Sequence, residues 1–220
     1  MEAAPTFTHK RTDHMTEYRT IAAPASAEFT EKRSRFIGHI KPVQTADEAT
    51  AFINEVKSRH WDATHNVYAY VLREGQTRRY SDDGEPQGTA GIPALDVLLK
   101  EELTDCAVVV TRYFGGVMLG AGGLVRAYSK GSKLAADAGG IVTMGLCLIV
   151  KVMSDYAFYG RLATLVPEMG GVILDTEFAG NVTVAFRMPK KLTGAFEERL
   201  VDLSLGKCGI EVERETFAAV

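Results

Sequence analysis

No stretch of this sequence is apolar enough to cross a membrane. The longest apolar runs, Ala107–Val110 and Leu146–Val150, fall far short of the ~20 residues a bilayer span requires. No apolar segment follows the charges near the N-terminus, so a secretory signal is not expected. Cysteine is scarce as well: there are three, Cys106, Cys147 and Cys208, without a CxxC pair. Two of them sit inside apolar strand-like runs, which argues for buried reduced thiols and against a disulfide framework or a cysteine metal centre. These absences together imply the cytoplasm. A positive excess is also missing. Net charge is −3, residues 28–139 carry 14 Lys/Arg against 15 Asp/Glu, and residues 140–220 carry 8 against 10. A protein that coats nucleic acid with a general positive field is excluded, so any polyanion contact has to come from a local patch.

What is present is an ordinary globular composition, 46% apolar and 24% charged over 220 residues, enough for two small domains. Residues 1–17 are polar and are expected to be a disordered extension. Tyr18 to Val43 suggests two short strands around the charged turn Glu31-Lys32-Arg33-Ser34-Arg35. Ala49, Phe52, Ile53 and Val56 recur at helical spacing, predicting a helix over 47–60 with Thr45 as its N-cap. A strand over 65–72 follows, then a turn cluster at 81–86. A helix is expected over 92–103 with Pro93 in its first turn and Thr89 as a cap. Cys106–Arg112 reads as a strand, 115–123 as a glycine loop and 122–138 as a third helix. Beyond Gly139-Gly140 the elements alternate as strand 141–153, helix 156–168, strand 172–178, strand 182–188, helix 191–203 and strand 209–216. That order is βαββαβ, the split βαβ of ferredoxin-like domains, with a hairpin signal at Gly180-Asn181. The expected division is therefore an N-terminal domain over 18–140 and a C-terminal domain over 141–220.

The densest candidate for chemistry is Val108–Ser129. A strand delivers Arg112 and Tyr113 to its end, and Gly115, Gly116, Gly120, Gly122 and Gly123 follow before a helix. A strand–glycine loop–helix unit brings backbone N–H groups and a positive helix end to one spot, which suits phosphate. It is equally readable as a tightly packed turn. Neither a Walker motif nor a dinucleotide fingerprint is complete, since Ala121-Gly122 stands where Lys-Ser/Thr is required. Arg126, Lys130 and Lys133 share one face of the helix, as anion contacts or as a solvated surface. Asp82, Asp83 and Glu85 form a turn whose carboxylates could hold a cation, act as acid and base, or simply shape the turn and meet a partner. On strand 65–72, His65, Val67 and Ala69 face one way, while Asn66, Tyr68 and Tyr70 face the other. His65 reads first as structural, and Asn66 with Tyr68 as base contacts or core.

Four segments resemble the IMPACT family in its bacterial YigZ-like branch: EKRSRFIGHI (31–40), ATHNVYAY (63–70), SDDGEPQGTAGIPALDVL (81–98) and VVVTRYFGGVMLGAGGLVRAYS (108–129). The resemblance implies an α+β protein. Its N-terminal α/β domain would be akin to the second domain of a small-subunit ribosomal protein, and its C-terminal domain would be ferredoxin-like. It also implies translation-linked or nucleic-acid binding with no established reaction. Eukaryotic relatives restrain the amino-acid-starvation kinase pathway by competing for its activator, a stress-response role; they carry a different partner-binding domain, so the resemblance does not carry that specific partnership over.

The favoured reading is thus a non-enzymatic, translation-linked regulator. It would bind RNA, the ribosome or a translation-associated protein through the glycine-rich loop and the basic helix face. One alternative is an enzyme acting on a phosphorylated small molecule with Asp82, Asp83 and His65. The other is a protein-only interaction module. No catalytic residue, cofactor, metal or membrane partner is assigned.

Overall fold

The computed structural model describes residues 16–220 of the chain. In chain order the elements are β1 (Glu17–Ile21), β2 (Ala25–Glu31), β3 (Ser34–Pro42), α1 (Ala46–Arg59), β4 (His65–Val71), β5 (Arg78–Ser81), α2 (Gly91–Lys100), β6 (Cys106–Tyr113) and α3 (Ala121–Gly139). They continue as β7 (Ile141–Ser154), α4 (Tyr156–Glu168), β8 (Val172–Phe178), β9 (Val182–Pro189), α5 (Lys190–Ser204) and β10 (Ile210–Ala219). The fold is α+β, built on two five-stranded sheets.

The first sheet runs β2-β3-β6-β4-β5, and all of its pairs are antiparallel. Strand alternation sends Val67, Ala69, Val108 and Val110 to one face, where α2 and α3 cover them around Tyr128, Phe36 and Leu98. Tyr70, Ala107 and Val109 point to the other face, where α1 lays down Ala49, Phe52, Ile53 and Val56. Those four residues are the apolar stripe whose spacing predicts the helix, and Thr45 accepts from the Glu48 N–H as its N-cap. β6 is central and buried on both faces, which explains its uninterrupted apolar run.

The second sheet has the order expected of a split βαβ. β7 pairs with β10 along one edge and with β9 along the other, and β8 lies outside β9. Helices α4 and α5 pack over Val150, Val152, Val184 and Phe186.

Three departures from expectation concern the start of the chain. Residues 18–43 form three strands, not two. β1 does not join the first sheet but pairs antiparallel with Ile141–Gly145 of β7, continuing the edge that β9 occupies farther along. The expected disordered extension lies outside the described residues except at its end. There Glu17 opens β1, and the Thr16 carbonyl accepts from the Leu146 N–H at 2.8 Å. β1 also ties the two sheets together. The Arg73 guanidinium stacks 3.7 Å from the Tyr18 ring and 4.7 Å from the Phe217 ring, and Asp105 holds it in place.

Two smaller differences bear on the site. α2 ends at Lys100, and Leu103 instead makes a β-bridge with Arg19. Thr89 does not cap α2: its hydroxyl donates to the Pro86 carbonyl, and Ala90 holds the cap position without a side-chain bond. All three cysteines are buried and free. Burial raises the Cys106 thiol to about 12, with Asp105 adding to the effect, so it is inert as a nucleophile at neutral pH.

Candidate functional site

The four sequence segments converge at one end of the first sheet, around Glu85. Its carboxylate is buried and takes the Arg112 guanidinium at 2.6 Å and the Tyr128 hydroxyl at 2.7 Å, with His65 Nε2 3.8 Å away. Arg112 also reaches the Ser34 hydroxyl, at 3.5 Å, and Ser34 Oγ accepts from the Gly115 N–H at 3.2 Å. Five side chains from four strands or turns and one helix therefore meet on a single buried ion pair. Burial, the bond to Glu85 and that carboxylate's charge push the Tyr128 hydroxyl well above its ordinary value, so it keeps its proton and serves as a fixed hydrogen-bond donor.

The neighbouring acids are equally occupied. Asp82 accepts three backbone N–H groups, from Gly88, Ala90 and Gly91 at 2.9, 3.1 and 2.8 Å, and so caps α2 from a distance. Burial pushes this carboxyl up, but the three N–H groups outweigh it and hold the carboxyl below its ordinary value. Asp83 divides its two oxygens between Lys57 and the Asn66 N–H, both at 2.7 Å, and its carbonyl meets His65 Nδ1 at 2.8 Å. Asn66 is buried, with its amide bonded to Thr111 and to the His60 carbonyl. Tyr68 is half-buried against α1, with Lys57 over its ring. Thus Asp82, Asp83, Glu85, His65, Asn66 and Arg112 form a turn-fixing network whose polar groups face one another. Among the described residues, no group of three or more His, Cys, Asp or Glu side chains is arranged to hold a metal ion.

That network holds up an exposed rim. The hairpin β2–β3 pairs Glu31 with Ser34, so its loop is the two residues Lys32 and Arg33, with φ of 43° and 68°. Asn or Gly fills such positions at least cost, and here two exposed cations fill both. The glycine loop docks directly on this turn. A Cβ at Gly115 would lie 2.0 Å from the Arg33 carbonyl, so only glycine allows the approach. Gly116, in contrast, has a φ of 81° with open space around it, and Gly120 has a φ of 72° as the residue before α3. Gly123 packs on Leu119, and Gly122 lies open beside Arg126.

On α3 the three cations part company. Arg126 is exposed and folds back over the first turn. Lys130 is exposed with its ammonium 4.5 Å from the Phe29 ring. Lys133 is paired with Asp137 and Glu101, which balance its charge and raise its pKa. Tyr113 lies at the rim, its hydroxyl between His60 Nδ1 and Asp62. Phe114 and Met118 project from the loop, 50% and 85% exposed. The outward set is therefore Lys32, Arg33, Arg126, Lys130 and Phe114. Arg112 and Lys133, both expected among the anion contacts, face carboxylates instead. Lys32, Arg33, Ser34 and Tyr128 were not among the candidates. The turn cations carried a signal, two bulky residues where a hairpin loop needs positive φ, but that is visible only once the register is known.

Comparison with known proteins agrees with the chain's segments. Residues 32–136 match the Impact N-terminal domain, and residues 154–207 match a domain of unknown function, DUF1949. The IMPACT family member YvyE of Bacillus subtilis is 39% identical over 201 residues, covering 91% of this chain and 93% of that protein. The chain belongs to the IMPACT family. Its YigZ-like character is equally direct: the IMPACT family member YigZ of Escherichia coli is 32% identical over 190 residues, 84% of this chain and 92% of that protein. A crystal structure of a hypothetical protein aligns with a TM-score of 0.58 at 30% identity, covering 91% of this chain and 98% of the other. Among the described residues of this IMPACT-family chain, no helix is long and apolar enough to cross a membrane.

Proposed function

We propose that this protein is a non-enzymatic, translation-linked regulator that grips an RNA backbone on the rim of its N-terminal domain. The observation that carries the reading is the Lys32-Arg33 turn. Two cations hold left-handed positions at a conformational cost, docked on a glycine loop and flanked by Arg126 and Lys130. Strain kept at a surface turn favours a functional reason for the residues that bear it. Four outward cations around an open glycine backbone suit phosphates, and exposed Phe114 offers a ring on which a base can stack. The Glu85–Arg112 network supports the rim from beneath. With Asp82, Asp83 and His65 engaged in the fold, the enzyme reading has to break these bonds before any chemistry begins.

A protein partner is the second reading, favoured by Val117 and Met118, which are apolar and exposed on the same loop. Salt separates the two. On a single strand each lost phosphate contact flattens the slope of log affinity against log salt by about 0.7. Fluorescence anisotropy with a single-stranded RNA at several salt concentrations should give a steep slope for the wild type. Arg126→Ala combined with Lys130→Ala should flatten it by about 1.4. Salt-independent binding, or a double variant that binds as well as wild type, would return the rim to the protein-partner reading.

A further inference from the structure

The C-terminal domain holds a cavity that the RNA reading does not use. It is an open hollow between the first turns of α4 and the chain after α5, with a volume of about 510 Å³. Volumes of this order suit a small organic molecule.

Its floor is Ser154, the last residue of β7. The alternation that sends Val150 and Val152 into the core carries Ser154 to the same side, 4% exposed. Its hydroxyl is buried and has no hydrogen-bond partner. A buried polar group left unmatched costs about 1–3 kcal/mol, and this hydroxyl lies just beneath the lining of the cavity, closed off from water.

The rim supplies charge. Arg161 and Lys207 line the opening, and neither belongs to an ion pair among the described residues. The one carboxylate in the lining, Asp155, is committed to capping α4, where Oδ1 accepts from the Phe158 N–H at 2.8 Å. The positive end of that 13-residue helix opens at the same place. Phe158, Leu203 and Leu205 give the lining its apolar part, beside the polar Asn181 and Ser204.

We propose that this cavity is a ligand site for a small amphipathic anion, a carboxylate or phosphate on an apolar body. The anionic group would be held by Arg161, Lys207 and the Ser154 hydroxyl, with the body against Phe158 and Leu203. A small shift of the lining on binding would open the Ser154 hydroxyl, closed off in the unbound chain, and turn it from an unmatched group into a donor. The site is independent of the RNA rim and gives the C-terminal domain a sensing role of its own.

The test uses the full chain and four probes of similar size: benzoate, phenyl phosphate, benzyl alcohol and benzylammonium. Met153 lines the cavity and is 61% exposed, so its ¹³C-labelled methyl group is the reporter. Benzoate, phenyl phosphate or both should shift this signal saturably at millimolar concentration, and the preferred probe tells carboxylate from phosphate. Benzylammonium should leave the signal in place, and benzyl alcohol should act weakly. Arg161→Ala and Lys207→Ala, surface changes that keep the fold, should each weaken the anion several-fold without altering the alcohol. Ser154→Ala should weaken the anion while the protein is no less stable. Arg126→Ala with Lys130→Ala should bind the anion as wild type does, which keeps this result separate from the fate of the RNA reading. The proposal is overturned if neither anion shifts Met153, if benzylammonium shifts it equally, or if the two cation variants bind the anions unchanged.

Discussion

The carboxylate of Glu85 and the guanidinium of Arg112 meet at 2.6 Å with 3% and 7% of their side chains exposed. One comes from a turn and the other from the end of the central strand, 27 residues on. Breaking a buried pair by removing one partner leaves an uncompensated charge and typically costs ~3–5 kcal/mol. Glu85→Gln and Arg112→Leu should therefore each lower stability by about that much in urea unfolding. Tyr128→Phe removes one hydrogen bond to the same carboxylate and should cost nearer ~1–2 kcal/mol. If Glu85→Gln unfolds at the wild-type urea concentration, the ion pair is not what holds the turn.

Asp82 gives a pH signature. Its folded pKa is depressed, so the stability it contributes is present above its ordinary value of 3.8 and is lost as pH falls through the lower folded value. Asp82→Asn keeps the shape but cannot accept equally from the three N–H groups of Gly88, Ala90 and Gly91. The variant should be less stable than wild type at pH 7, and the gap should narrow as pH falls below 3.8 and on through the lower folded value. Urea midpoints for both proteins across this range measure the gap directly. A constant gap would detach it from the carboxylate's charge.

His39 acts at higher pH and with the opposite chemistry. Burial, then the nearby His60 and Arg59, lower it from 6.5 to about 4, so it stays neutral in the fold. Above pH ~6.5 neither state binds the proton, and the group adds no pH dependence. Between pH 6.5 and about 4 the unfolded chain takes up the proton first, so stability falls as pH falls, and the loss levels off below the folded value. His39→Leu should flatten the wild-type stability slope between pH 7 and pH 5. An unchanged slope would assign it to other groups, with His60, also lowered chiefly by burial, the first to examine.

Most of the helices could be read directly from the sequence. The stripe Ala49, Phe52, Ile53, Val56 can only be one face of a helix, and it lies on the sheet as one. The βαββαβ order after Gly140 was equally plain, because each element has its own period and glycines mark three of the turns, at Gly170-Gly171, Gly180 and Gly206. The start of the chain was not legible. β1 is five residues with no partner nearby in sequence, and its pairing with β7 spans about 120 positions that no local period records. β5 is four residues, Arg-Arg-Tyr-Ser, with no apolar alternation to reveal it. Within the site, residue types pointed to the right neighbourhood but not to the roles. Arg112 and Lys133 read as free cations until packing brought Glu85, Glu101 and Asp137 to them.

The β1 pairing sharpens what a truncation should do. We propose that residues 18–140 fold alone, since the first sheet and both of its helical layers close within that segment. Tyr18 to Thr20 would lose the ladder to Met144, Thr143 and Val142, while Ile21 stays packed in the first core. Hydrogen exchange should find the amides that β1 pairs with β7 protected in the full chain and fast in the fragment, with β6 protected in both. A fragment unfolded by circular dichroism would move the boundary.

The two adjacent glycines of the rim give the last contrast, because the same substitution meets different surroundings one residue apart. At Gly115 a Cβ would fall 2.0 Å from the Arg33 backbone, and that backbone cannot yield as a side-chain tip would. Gly115→Ala must therefore push the glycine loop off the Lys32-Arg33 turn and strain the Gly115–Ser34 bond beside the buried ion pair. It should cost stability and RNA affinity together. At Gly116 no atom lies within 4 Å, but φ is 81°, a conformation that a β-branched residue resists. Gly116→Val should cost about 1–2 kcal/mol as backbone strain and, with its side chain standing in the open rim, reduce RNA affinity by more than that strain accounts for. Urea unfolding and anisotropy on both variants separate the effects. If Gly116→Val binds RNA as the wild type does, no ligand approaches the glycine backbone, and the rim's contacts come from side chains alone.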